Sequence, residues 1–182
     1  MDFSPLDQAM MKLALAEAQK AAEAGDVPVG AVLCLGEQIL AQAKNERELR
    51  QDPTAHAEIL AIRRASEQLK TWHLEATTLY VTLEPCPMCA GAILNSRVAR
   101  VVFGAYQPKT GALASKAHLY DLDWPGKPVW QAGLLAAEAE ELLQTFFRAR
   151  RKEAASLGGP GARRAAALKN WQDRKERCQD EE

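Results

Sequence analysis

The sequence predicts an α/β fold, one sheet with helices packed on it, and three observations carry that prediction. Between residues 54 and 104 the pattern runs helix, strand, helix, strand, which calls for crossover connections. The stretches VPVGAVLCLG (27–36), TTLYVTLE (77–84) and RVVFG (100–104) are short, apolar and rich in β-branched residues, as sheet strands are. The chain of 182 residues, 47% hydrophobic and 26% charged, has the length and composition of a protein with one well-packed core.

The elements follow in order. Ser4 and Pro5 supply an N-cap and an N1 proline, and Leu6, Met10, Leu13, Ala14, Ala18 and Ala21 then recur at helical spacing up to Gly25. Residues 27–36 form a strand that ends at a glycine turn, and QILAQAKN (38–45) returns beside it as a hairpin. A second helix is expected to start at Asp52-Pro53 or Pro53-Thr54, carrying His56 and Glu58 in its first turns and burying Ile59, Leu60, Ile62 and Leu69. After the strand at 77–84, a third helix runs over 87–96, followed by the strand at 100–104. Residues 105–133 are rich in Pro, Gly and Lys and read as loop with one short helix, closing on VWQAG as a last short strand. Residues 134–155 are strongly helical, with an acidic first half and a basic second half that complement the helix dipole. LGGPG then stops the helix. The expected organisation is a domain over 1–155 and a charged extension over 156–182, a peripheral helix or partly disordered segment.

Composition excludes several functions. No apolar run approaches the roughly 18 residues of a membrane span. The first residues lack both a basic region and an apolar run of the signal-peptide kind, which favours a reducing, cytoplasmic setting. Four cysteines, at 34, 86, 89 and 178, are too few and too uneven for a disulfide framework, so the close pair reads better as a metal site. Neither GxGxxG nor GxxxxGK[ST] occurs, which leaves dinucleotide and phosphate-loop readings without support. The net charge of −1 divides into +4 over 148–182 and −5 over 1–147. Such a basic tail can draw RNA, although mixed charge also suits a solvated helix.

The chemistry lies in two short segments. Pro85-Cys86-Pro87-Met88-Cys89 sets two thiols three residues apart at a helix start, where free amides and the dipole favour thiolate. A lone CxxC pair also suits redox chemistry, so a third ligand is needed to decide. His56, at the start of another helix, offers it, and one nitrogen with two sulfurs suits zinc best among common ions. Cys34 falls in a buried strand, Cys178 in the polar tail, and His73 and His118 lack ligand spacing. Three protein ligands therefore leave one tetrahedral position for water. Glu58, two residues past His56, is placed to take that water's proton; its plain alternative is a helix N-terminal glutamate stabilised by the dipole. H-x-E followed by P-C-x-x-C is the signature of zinc deaminases acting on nucleobases. In that chemistry hydroxide on the zinc attacks a ring carbon bearing an exocyclic amine, while Glu58 passes protons to the ring nitrogen and the departing ammonia.

Further blocks surround these segments: VPVGAV (27–32), Asn45, DPTAHAEILAIR (52–63), TLYVTLEPCPMCAGAI (78–93), SRVARVVFGA (96–105), KTG (109–111) and FFRARR (146–151). In this order, over residues 7–152, they resemble the bacterial tRNA-specific adenosine deaminase family. The resemblance implies a cytidine deaminase-like fold, with a central five-stranded mixed sheet flanked by helices on both faces. It implies one Zn2+ per subunit on His56, Cys86 and Cys89, with Glu58 as proton shuttle for attack at C6 of adenosine at the wobble position of tRNA. It also implies a homodimer that binds the tRNA anticodon stem-loop with both subunits. Asn45 and the backbone donor of Ala57 would read the purine, Gln107 a neighbouring sugar, and Phe146 and Phe147 the bound loop. Unaided, Asn45 reads as a turn residue bonding its own backbone and the two phenylalanines as core.

Two segments depart from the family. GAYQPKTG (104–111) stands where G-A-R-D-A-K-T-G is usual, so an amide at Gln107 replaces a carboxylate. DLDWPGKPVWQAG (121–133) lacks the N-H-R-V character that usually precedes the last strand. A deaminase of a free base or nucleoside, such as guanine or cytosine, uses the same zinc chemistry and calls for a closed pocket. The tRNA reading calls for an open cleft with a basic rim. A catalytically idle zinc protein would need a fourth protein ligand.

Overall fold

Helix α1 (Pro5–Glu23) begins at a capping box. The Ser4 hydroxyl accepts from the Asp7 amide at 3.1 Å and the Asp7 carboxylate accepts from the Ser4 amide at 2.9 Å. Strands β1 (Gly30–Leu35) and β2 (Gln38–Lys44) form the expected hairpin, with an irregularity between Leu33 and Cys34. Then come α2 (Arg47–Arg50), α3 (Ala57–Leu69), β3 (Thr77–Leu83), α4 (Pro87–Asn95), β4 (Arg100–Ala105), a 3-10 turn (Leu119–Asp121), β5 (Val129–Ala132) and α5 (Ala136–Ser156). The structure, a computed structural model, describes residues 2–156. Apart from Ser156, the expected extension over 156–182 lies outside the described residues. The chain divides into two units, residues 1–143 and 144–182, and all that follows on the sheet and site concerns the first.

The sheet has the order β2-β1-β3-β4-β5, antiparallel from β2 through β1 to β3 and parallel from β3 through β4 to β5. It is thus mixed and five-stranded, as the resemblance implied. Because strand side chains alternate between faces, one pleat set packs on each side. Val32, Cys34, Tyr80 and Val102 meet Met10, Met11 and Ala14 of α1 on one face. Ala31, Leu33, Leu79, Val81, Val101 and Phe103 meet Leu60, Ala61 and Ala65 of α3 with Ala90 and Ile93 of α4 on the other. Each such buried Val, Leu or Phe contributes about 1.5–3 kcal/mol. Contact between α1 and β1 needs Gly30, where a Cβ would lie 2.0 Å from the Ala14 carbonyl oxygen. No helix among the described residues is long and apolar enough to cross a membrane.

The second helix differs from its sequence-based reading. It starts at Ala57 rather than at 52–54, and a separate one-turn helix, α2, precedes it. The cause is local. Asp52 accepts from both the amide and the hydroxyl of Thr54, at 2.8 and 2.6 Å, a side-chain turn that competes with helix. His56 consequently sits in extended backbone as the N-cap of α3. Helix α5 likewise begins after 134, because Gly133 and Leu135 have positive φ of 92° and 52°.

Candidate active site

Parallel strands of an open sheet present ligands beyond their carboxyl ends, and here β3 and β4 run directly into the reactive segments. Past Leu83 the chain continues as Glu84-Pro85-Cys86, with Cys86 as N-cap of α4 and Cys89 in its first turn. Past Ala105 it continues as Tyr106 and Gln107. His56 arrives on the cap of α3, which packs on the same sheet face. Two helix N-termini thus converge on one point.

His56 Nδ1 lies 3.4 Å from Cys89 Sγ and 3.7 Å from Cys86 Sγ. The three ligand atoms all fall within 4.8 Å of one another, and no other such group occurs among the described residues. A tetrahedral zinc, with Zn–S near 2.3 Å and Zn–N near 2.0–2.1 Å, separates sulfur from nitrogen by about 3.6 Å. The two observed distances bracket that value, so the donor set fits the ion in kind and spacing. Cys34 is buried in β1, and His73, bonded to Glu75 at 3.2 Å, and His118 take no part. Cys178 lies outside the described residues.

A pocket of about 160 Å³ opens over this group, lined by Val27, Val29, Asn45, Arg47, His56, Glu58, Leu83, Glu84, Cys86, Gln107 and Thr110. Its size suits a single heterocyclic base rather than the ~300–1,000 Å³ of larger ligand sites. Glu58 is buried and stands beside the cluster without joining it. Burial pushes its carboxyl up, against the pull of His56. The hydrogen bond from Cys89 is the largest effect holding the Cys86 thiol down, while that bond and burial push Cys89 up. The exposed Arg47 and Thr110 leave the pocket open at its rim.

Of the residues expected at the site, His56, Cys86, Glu58, Asn45 and Gln107 line this pocket, and Cys89 lies fully buried beside His56. Ala57 is the first residue of α3, where its amide has no intrahelical acceptor. Phe146 and Phe147 belong to the second unit, where their rings pack edge to face at 5.4 Å and Arg150 lies 5.9 Å over Phe146.

Sequence reasoning passed over Glu84, which organises one wall. Its buried carboxylate accepts from the amides of Gln107 (2.9 Å), Leu113 (3.1 Å), Ala114 (2.7 Å) and Ser115 (2.9 Å), and from the Ser115 hydroxyl. Burial alone would raise this carboxyl, but the donors outweigh it and hold it below the usual range. The signal available was a glutamate at a strand end directly before Pro85-Cys86; its partners lie 23 to 31 residues away, beyond any local pattern.

Residues 6–151 match the family of MafB19-like deaminases. A tRNA-specific adenosine deaminase of Bacillus subtilis is 48% identical over 148 residues, spanning 81% of this chain and 92% of that one. A structure solved in studies of A-to-I editing by tRNA:A34 deaminases at the wobble position superposes with a TM-score of 0.72 at 43% identity, covering 74% of this chain and 99% of that one. A guanine deaminase from Nitrosomonas europaea is more distant, with a TM-score of 0.67 at 26% identity over 80% of this chain and 86% of that one.

Proposed function

The chain belongs to the tRNA-specific adenosine deaminase family, and from that premise we propose how its residues convert adenosine to inosine at the wobble position of tRNA. The overall reaction replaces the C6 amine of adenosine by oxygen from water and releases ammonia. In this reading His56, Cys86 and Cys89 hold one zinc ion. A bound zinc would supply a water acidified to near neutrality as the attacking group. Glu58 would take one proton from the attacking water and deliver it to the purine N1 as C6 becomes tetrahedral, then take the remaining proton of the added hydroxyl and pass it to the amine, which leaves as ammonia while the oxygen stays on C6. Its burial in the base pocket keeps bulk water from competing for those protons.

Asn45 and the Ala57 amide read the purine edge, Gln107 bonds the sugar of a neighbouring nucleotide, and Phe146 and Phe147 stack against the loop. The target base enters flipped out of its neighbours' stack, since the pocket admits one ring system. A homodimer that shares the tRNA anticodon stem-loop between subunits belongs to the same reading, by resemblance to the family. The observation that carries the reading is one base-sized pocket lined by Glu58, the side chain of Asn45, and His56 and Cys86 of the three-residue group that could hold a metal.

The test is inosine formation by zinc-loaded protein on anticodon stem-loops with adenosine at the wobble position, beside free guanine, adenosine and cytidine. Conversion of the stem-loop alone is expected. Ammonia released only from a free compound would move the chain to the small-substrate reading, for which the likeness to a guanine deaminase at 26% identity is the support.

A further inference from the structure

Asp26 lies between α1 and β1, is only 1% exposed, and has no part in the chemistry described above. A buried carboxylate is costly unless its oxygens are satisfied. Those of Asp26 accept four hydrogen bonds: Oδ1 from Asn45 Nδ2 at 2.5 Å and the Val27 amide at 3.1 Å, Oδ2 from the amides of Glu48 at 2.8 Å and Leu49 at 3.2 Å. The backbone of Asn45 is anchored independently, its amide donating to the Val29 carbonyl at 2.8 Å.

A carboxylate only accepts, so the nitrogen of the Asn45 side chain must be the end that faces Asp26; the flipped amide would set oxygen against oxygen. Asn45 lines the pocket, and among the described residues no group donates to its side-chain oxygen. What remains for a ligand is therefore one carbonyl acceptor and one N–H donor in a single fixed order. A carboxamide free to rotate would offer both orders and read an adenine edge no better than its mirror arrangement. The second oxygen of Asp26 holds the α2 amides, and α2 carries Arg47, another residue of the pocket wall. One carboxylate thus registers two parts of the wall.

We propose that Asp26 is a positioning residue that locks the Asn45 amide in the one orientation that reads the purine. The inference rests on the reading of Asn45 as the residue that contacts the base. It makes a specific forecast for Asp26→Asn. The new side chain keeps its oxygen toward the Glu48 and Leu49 amides, turns its nitrogen toward Asn45, and so obliges Asn45 to invert.

The experiment uses full-length, zinc-loaded protein as wild type, Asp26→Asn, Asp26→Glu, Asn45→Ala and the double variant Asp26→Asn/Asn45→Ala. Metal content and melting temperature are measured on each. On the stem-loop substrate, kcat/KM should fall about tenfold or more in Asp26→Asn and likewise in Asn45→Ala, with the double variant no worse than Asn45→Ala. Asp26→Glu, which keeps an acceptor, should recover most of the loss. A scalar coupling measured by NMR across the hydrogen bond, from Asn45 Nδ2 to the Asp26 carboxylate carbon, should be present in the wild type. Losses that multiply in the double variant, an Asp26→Asn protein as active as wild type, or absence of that coupling would each overturn the proposal. If the wild type converts no stem-loop, the functional reading falls and the coupling alone decides whether Asp26 orients Asn45.

Discussion

Two side chains, Glu58 and Glu84, show how differently the same residue type behaves in the wall of one pocket. Burial dominates at Glu58 and raises its carboxyl, as the proposed proton exchange requires, whereas Glu84 is saturated by the amides of three successive residues and becomes part of the wall. Glu58→Ala should therefore retain bound zinc, read by metal analysis, while inosine formation falls about 10²–10⁴-fold. Loss of the metal with the carboxylate would make Glu58 a ligand instead. Gly111 exists for Glu84: a Cβ there would lie 2.3 Å from the carboxylate carbon and from one of its oxygens. The carboxylate cannot step aside without giving up its donors, so Gly111→Ala should cost about 1–3 kcal/mol in chemical denaturation. An unchanged midpoint would show that the 107–115 loop relaxes freely.

Between elements, one carboxylate adds a polar tie to the apolar packing of α1 on the sheet. Asp7 accepts from the Tyr80 hydroxyl of β3 at 2.7 Å and from Arg100 of β4 at 2.6 Å, and Arg100 in turn donates to Gln131 of β5. Burial pushes the Asp7 carboxyl up, but the bonds from Arg100, Tyr80 and the Ser4 amide outweigh it and hold it well below the usual range. In the unfolded chain the group takes its proton near pH ~3.9, in the folded chain only at lower pH. Its contribution is complete above the unfolded value and is lost as pH falls toward the folded one. Asp7→Asn should lower stability at neutral pH and flatten the loss of stability below about pH 4. Equal slopes in urea titrations of the two proteins across that window would remove Asp7 from the acid response.

For the whole molecule, the His56, Cys86 and Cys89 group, which could hold a metal ion, brings together segments 30 and 33 residues apart at the starts of α3 and α4 on one sheet face. A metal that binds only the folded state stabilises it by an amount that grows logarithmically with free metal relative to its Kd. Chelation should lower the melting temperature by about 5 °C or more, with recovery on adding zinc. Melting that ignores the chelator would mean that the hydrophobic core alone holds the two helices together.

Sequence by itself determined the α/β class, the hairpin, the crossover from β3 to β4 and the grouping of His56, Cys86 and Cys89. These depend mostly on near neighbours: short apolar runs rich in β-branched residues, an N1 proline, and two cysteines spaced to share a helix start. Local patterning favoured a helix start near Pro53 and could not decide it against the two-residue turn of Asp52 on Thr54, which moves His56 from a helical turn to its cap. Nor could it see Asp26 beside Asn45, 19 residues on, or Glu84 beneath the loop of Gly111. Those pairings were decided by the tertiary structure, because a buried carboxylate must find its donors wherever the folded chain brings them, whatever their distance in sequence.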